Sequence, residues 1–167
     1  LHIFSASGYY FGVMPWNFPF WQVFRFAVPT MIAGNVVLLK HSSNVQGCAD
    51  AIEGLFLEVG IPLNAFKNLT IDSSKVGKII ENPNVKAISL TGSTSAGKSV
   101  AKKAGSVLKK TVLELGGSDA YLVLKDADLD LAIDACSSGR LLNSGQSCIS
   151  AKRFIIDQTI KSEFEKN

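Results

Sequence analysis

Apolar positions along this chain alternate between two spacings, and the alternation predicts its elements. Residues 1–14 are apolar, aromatic and Gly-punctuated, which reads as a strand. A segment over 19–33 is apolar nearly all round, which predicts a buried helix, kinked at Pro29 and ended by Gly34-Asn35. The β-branched and leucine run from Asn35 to Lys40 suits a buried parallel strand, and a helix over 45–59 follows, closed by Gly60 and Pro62. The alternation continues with a strand near 66–71, a helix near 73–81 and a strand at 87–91. A turn over 92–97 leads into a helix reaching about Ala104, then a strand at 111–115. After Gly116-Gly117 come a strand at 121–124, a helix over 129–142 and a strand at 152–156.

Strands alternating with helices call for an α/β fold, a doubly wound parallel sheet with right-handed crossovers. The change of character at the Gly-Gly pair predicts two domains, 1–115 and 116–167, the second being the start of another α/β unit.

Composition narrows the classes. Seventeen basic and fourteen acidic residues leave a net charge of +3, too balanced for a nucleic-acid or membrane-surface partner, and the lysine pairs read as solvated faces. Three cysteines without metal-ligand spacing argue against a disulfide framework or a metal site, and fit a reducing cytoplasm. The longest apolar region, Phe26 to Leu39, is interrupted by Pro29, Gly34 and Asn35, and is too broken to span a bilayer. The chain opens on Leu1 with no basic, signal-like segment, so we expect an internal piece of a longer protein.

Several residues carry candidate chemistry, each with a plainer alternative. Cys148 ends the turn-prone run Leu142-Asn143-Ser144-Gly145-Gln146-Ser147, which can present a thiol at a fixed point or simply bury it. Cys48 and Cys136 fall within helical patterns and read as packing residues. Asn17 lies on the turn ahead of Pro19, which suits the first position of a helix; its amide can donate to a developing oxyanion or merely make the turn. Glu114 ends an apolar strand at the Gly-Gly corner. Partly desolvated, with a raised pKa, it can act as a general base; otherwise it faces solvent. Arg25 shares i, i+3, i+4, i+7 spacing with Phe18, Trp21 and Gln22 in an otherwise apolar helix, and needs an anion, either an internal carboxylate or a substrate's. Gly92-Ser93-Thr94-Ser95-Ala96-Gly97-Lys98-Ser99 satisfies the P-loop pattern, although it arrives late and leaves too little chain for the rest of such a domain.

Three stretches in order, Pro15-Trp16-Asn17-Phe18-Pro19, Leu113-Glu114-Leu115-Gly116-Gly117 and Leu142 to Cys148, resemble the oxyanion, general-base and nucleophile motifs of the aldehyde dehydrogenase superfamily over essentially the whole chain. The resemblance implies a Rossmann-like cofactor domain followed by the beginning of a catalytic domain. It implies oxidation of an aldehyde with NADP or NAD: Cys148 attacks, Asn17 and the Cys148 N–H hold the oxygen, and Glu114 activates the water that cleaves the thioester. It places the cofactor on Trp16, Lys40, Ser43, Gly92, Ser93, Leu115 and Gly116, with Ser93 and neighbouring N–H groups at the pyrophosphate. Ser43 stands where NAD-restricted members carry a glutamate, so NADP is expected to be accepted. The succinate-semialdehyde dehydrogenases within the family carry an arginine at the place of Arg25. This implies a short aldehyde bearing a carboxylate, bound by Arg25, Trp21 and Phe18. The family's later Glu-x-Phe-Gly-Pro stretch and its oligomerisation strand are absent, so the chain reads as a central portion of a homo-oligomeric parent, and a non-catalytic fragment is the alternative. Position 150 is Ser, leaving Cys148 without a cysteine two residues on.

Overall fold

The computed structural model describes residues 8–166, so the part of the expected first strand within 1–7 lies outside the described residues. The chain divides into two compact units, one ending at Leu115 and the other beginning at Gly116.

The first unit is a five-stranded parallel sheet in the order β3-β2-β1-β4-β5. The strands are β1 (Tyr9–Met14), β2 (Val36–His41), β3 (Phe66–Asn68), β4 (Val85–Gly92) and β5 (Lys110–Leu115). Their crossovers are α1 (Trp21–Ile32), α2 (Gln46–Glu58), α3 (Val76–Glu81) and α4 (Thr94–Gly105). Two cores, one on each face, explain the arrangement. Val23 and Ala27 of α1 and Ala49, Ile52 and Phe56 of α2 pack with Met14, Val37 and Leu39. On the other face Ile80 of α3 and Val100 and Ala104 of α4 pack with Phe11, Ile88 and Leu90, joined by Leu113 and Leu115. Neighbouring residues of β1 therefore serve opposite faces, Val13 one and Met14 the other, as the period of two requires. The doubly wound parallel sheet predicted from the alternation is what forms.

Three expectations change. The helix over 19–33 was expected to be buried all round, yet α1 buries only Gln22, Val23 and Ala27, while Trp21 is 64% and Ile32 82% exposed. A helix laid on one face of a sheet buries one stripe, and the residues turned away from it stay apolar for a reason the periodicity cannot state. The third strand is Phe66–Asn68, shorter than the expected 66–71, because its pairing with β2 ends at Leu39–Asn68. Pro19 was expected at the first helical position, but α1 begins at Trp21 with Phe20 as its cap.

The second unit pairs β6 (Ala120–Val123) with β7 (Arg153–Ile156) in parallel, linked through α5 (Leu129–Leu141) and followed by a short helix, α6 (Lys161–Phe164), that the sequence pattern did not predict. Asp128 starts α5 by accepting the Leu131 N–H at 3.1 Å.

Candidate functional site

In the first unit the carboxyl ends of the strands carry the candidate chemistry, and the topology says why. β1 pairs with both β2 and β4, so successive crossovers leave β1 in opposite directions at this point. Open α/β sheets bind ligands outside the carboxyl ends at such a switch point. Pro15 to Phe18 follow β1 directly, Lys40 lies at the end of β2, Gly92 ends β4 with Ser93 just beyond it, and Glu114 and Leu115 end β5. Ser43 lies in the single 3-10 turn that follows β2.

The Gly92–Ser99 segment is decided by its backbone. Strand β4 runs through Gly92, Ser93 is the N-cap, and α4 begins at Thr94, so no loop remains to wrap a phosphate. The Ser93 hydroxyl oxygen accepts the Ala96 N–H at 3.2 Å and lies 3.0 Å from Ser95 Oγ. Lys98 is exposed on the helix. The P-loop reading falls here; what stays is a helix N-terminus whose free N–H groups favour an anion. Gly97 lets that helix approach β5: a Cβ there would lie 2.5 Å from Leu115 Cδ2.

A cleft of about 660 Å³ opens between α3 and α4, lined among others by Lys40, Ser73, Ser74, Ala96, Ser99 and Val100. An apolar floor rimmed by three lysines, Lys40, Lys102 and Lys103, and several hydroxyls suits an apolar ring that carries hydroxyl and anionic groups. Lys40 was expected there; Ser73 and Ser74 were not. Their signal was Asp72, which caps the turn by accepting the Ser74 N–H at 2.8 Å, and those bonds hold its carboxyl below the usual range. Ser43 and Ser93 do not line this cleft.

A second cleft of about 410 Å³ lies on the α1 face, where the helix covers only part of the sheet. It gathers Gln22, Arg25, Thr91 and Glu114. The Arg25 Nη2 donates to Gln22 Oε1 at 2.9 Å, and among the described residues Arg25 makes no ion pair. No carboxylate of the described residues pairs with it. The four residues expected on one helical face divide: Gln22 is buried, Trp21 and Arg25 are exposed, and Phe18 precedes the helix. Glu114 corrects a further expectation, because it is exposed rather than desolvated. β5 is an edge strand whose alternate residues Lys110, Val112 and Glu114 turn away from the α3–α4 core. Trp16 is exposed and Asn17 half-buried in the segment after β1.

In the second unit Cys148 stands half-buried on a turn between α5 and β7. The chain reaches it through three consecutive left-handed residues, Asn143 (φ 52°), Ser144 (φ 57°) and Gly145 (φ 74°). Only the glycine takes that region without cost, so the two before it store local strain. Ser147 is buried and its Oγ accepts the Ile149 N–H at 3.3 Å. Lys152 Nζ donates to the carbonyls of Gly117 at 2.7 Å and of Cys148 at 3.0 Å, tying the thiol's turn to the Gly-Gly corner. Gly116 begins this unit. Cys136 is buried in α5, and burial pushes its thiol pKa up; Cys48 is half-buried on α2.

Among the described residues no helix is long and apolar enough to cross a membrane, and no group of three or more His, Cys, Asp and Glu side chains is placed to hold a metal.

The sequence profile described as the aldehyde dehydrogenase family matches residues 3–167. A protein of Synechocystis named a probable NADP(+) succinate-semialdehyde dehydrogenase is 52% identical over 161 residues, covering 96% of this chain and 36% of the relative. An Escherichia coli NAD(P)+ succinate semialdehyde dehydrogenase is 51% identical over 152 residues, covering 91% of this chain and 33% of its own length. The crystal structure of a Streptococcus pyogenes succinic semialdehyde dehydrogenase in complex with NADP+ superposes with a TM-score of 0.94 at 41% identity, over 97% of this chain and 36% of the other. The chain spans about a third of the length of the curated relatives it matches.

Proposed function

Since the chain belongs to the aldehyde dehydrogenase family, we propose that it supplies the cofactor cleft, the oxyanion donor and the nucleophile of an NAD(P)-dependent enzyme that oxidises a short aldehyde bearing a carboxylate, succinate semialdehyde first. The observation that carries the substrate class is Arg25. An exposed guanidinium in an apolar helix, paired with no carboxylate among the described residues, is available for bidentate contact with a substrate's carboxylate.

In this reading the unit ending at Leu115 is the cofactor-binding domain and the unit from Gly116 the beginning of the catalytic domain. Lys40, with the hydroxyls of Ser73 and Ser74, is suited to the adenosine ribose, and the N-terminus of α4 to the pyrophosphate. Ser43, a donor rather than an acid, tolerates a ribose 2′-phosphate, which favours NADP. Trp16, Gly92, Ser93, Leu115 and Gly116 complete the cofactor contacts, and Trp21 and Phe18 flank the aldehyde. NAD(P)+ held there would supply the two-electron acceptor. The chain's own groups do the rest: Cys148 adds to the carbonyl, and the Asn17 amide and the Cys148 N–H stabilise the resulting oxyanion. Glu114 takes a proton from the water that cleaves the thioester and frees the carboxylic acid. The balance is aldehyde, NAD(P)+ and water to acid, NAD(P)H and a proton. A nucleophile that must stay reduced places the protein in the cytoplasm, and the parent chain is a homo-oligomer.

The test is NADPH formation at 340 nm by the protein carrying this chain, with succinate semialdehyde and with butanal. Losing a charge-assisted contact costs about 1.5–3 kcal/mol, so Arg25→Leu raises KM for succinate semialdehyde roughly 10- to 100-fold and leaves butanal nearly untouched. Equal changes for both aldehydes defeat the assignment of Arg25.

A further inference from the structure

Among the described residues a wholly buried histidine at a strand end has no place in the chemistry above. His41 ends β2 at 0% exposure, paired in register with Met14, the last residue of β1. Its Nε2 lies 2.9 Å from the Pro19 carbonyl oxygen and its Nδ1 3.0 Å from the Ser42 nitrogen. A backbone N–H can only donate, so in the neutral ring Nδ1 accepts from Ser42 and the proton sits on Nε2, which donates to Pro19. The Met14 carbonyl, 3.2 Å from Nδ1, faces the same ring edge. The segment from Pro15 to Pro19 is thus held at both ends by one residue. Its start is fixed through backbone pairing of His41 with Met14, and its end through the imidazole. Between those anchors stand Trp16 and Asn17. The Pro19 carbonyl is available because α1 starts late, at Trp21, with the Val23 N–H turned to Phe20 at 3.1 Å.

We propose that His41 is a positioning residue: its Nε2–H, donated to Pro19, sets the segment that aims the Asn17 amide at the substrate oxygen. The catalytic part of this rests on the aldehyde-oxidising reading; the mechanical part does not. A buried donor lost here leaves the half-buried Pro19 carbonyl without its partner, which the segment relieves by moving toward water. Packing alone makes a different demand, since an apolar side chain of similar size would then serve as well as histidine.

The experiment compares His41→Gln, His41→Asn and His41→Leu in the 167-residue chain by 15N relaxation. The glutamine amide reaches the place of Nε2, the asparagine amide that of Nδ1, and leucine offers neither. Expected are backbone order parameters at Trp16, Asn17 and Phe18 that fall from about 0.85 to below about 0.6 in the Leu and Asn variants and stay near the wild-type value in Gln, with Phe11 and Leu39 unchanged in all. A Leu variant as rigid as wild type, or one in which Phe11 and Leu39 loosen equally, overturns the proposal. Should the variants not fold, the wild-type ring decides: long-range 15N correlations must show the neutral Nε2–H tautomer, and the Nδ1–H tautomer overturns it. In turnover, His41→Leu lowers kcat with the aldehyde KM held, and the loss vanishes in an Asn17→Ala background; additive losses overturn the link to Asn17. Absence of aldehyde oxidation in the wild-type protein refutes the functional reading alone, and the relaxation result stands separately.

Discussion

Replacing Gly97 with alanine pits two effects of known size against each other. The new methyl would sit 2.5 Å from Leu115 Cδ2, 2.9 Å from Cδ1 and 3.3 Å from Cγ. Carbon atoms pack at about 3.5–4.0 Å, so the leucine must withdraw by roughly an ångström. Overpacking of this kind costs about 1–3 kcal/mol, and about 2 is expected here, because two methyls are overlapped while Leu115, half-buried at a strand end, can change rotamer. Against it, alanine inside a helix is better than glycine by about 1 kcal/mol. The net effect is about 1 kcal/mol of destabilisation, or a fall of about 2–4 °C in Tm for a chain of this size. The decisive comparison is with Leu115→Ala. Once the leucine is truncated the clash disappears and the helical gain remains, so adding Gly97→Ala to Leu115→Ala stabilises by about 0.5–1 kcal/mol. Urea unfolding of the four proteins, followed by circular dichroism at 222 nm, reads the cycle. A Gly97→Ala change of the same sign in both backgrounds would show that close approach of α4 to β5 is not why glycine stands there.

Two predictions concern pH. Hydrogen bonds from Ser74 hold the Asp72 carboxyl below its ordinary range, so its stabilisation is present above the unfolded pKa, near 3.9, and lost as pH falls through the lower folded value. Asp72→Asn keeps a capping oxygen that does not titrate, so the two acid-unfolding curves separate below about pH 4; curves that stay parallel reject the linkage. For Cys136 burial raises the pKa, so its contribution is full below the unfolded thiol value and disappears as pH rises through the folded one. Iodoacetamide at pH 8 followed by peptide mass mapping is expected to label half-buried Cys148 well before Cys136, and equal rates would contradict the burial of α5's cysteine.

The candidate site was legible in part because its motifs are local. Pro15 to Pro19, the Gly116-Gly117 corner and the curl before Cys148 are backbone statements that short-range sterics dictate, and each is a turn or an element boundary, although α1 starts two residues after Pro19. Lys40 in the larger cleft followed from its position at a strand end. Ser73 and Ser74 were passed over because hydroxyls flanking a capping aspartate look like ordinary turn chemistry until α4 is laid opposite them.

From the order of residues alone came the alternation of strand and helix and the parallel doubly wound class, since periodicity acts within a few residues, whereas the start of α1 did not follow from it. Which strands are neighbours was settled only by the packed chain, because the pairing of β1 with β4 joins residues as far apart as Tyr10 and Ala87 and depends on what two faces of helices can cover together. That packing also overruled the periodicity of α1, left Glu114 on an edge strand in solvent, and enclosed His41 between a strand end and the Pro19 carbonyl. Burial belongs to the neighbours a residue acquires, and a string of letters does not hold those neighbours.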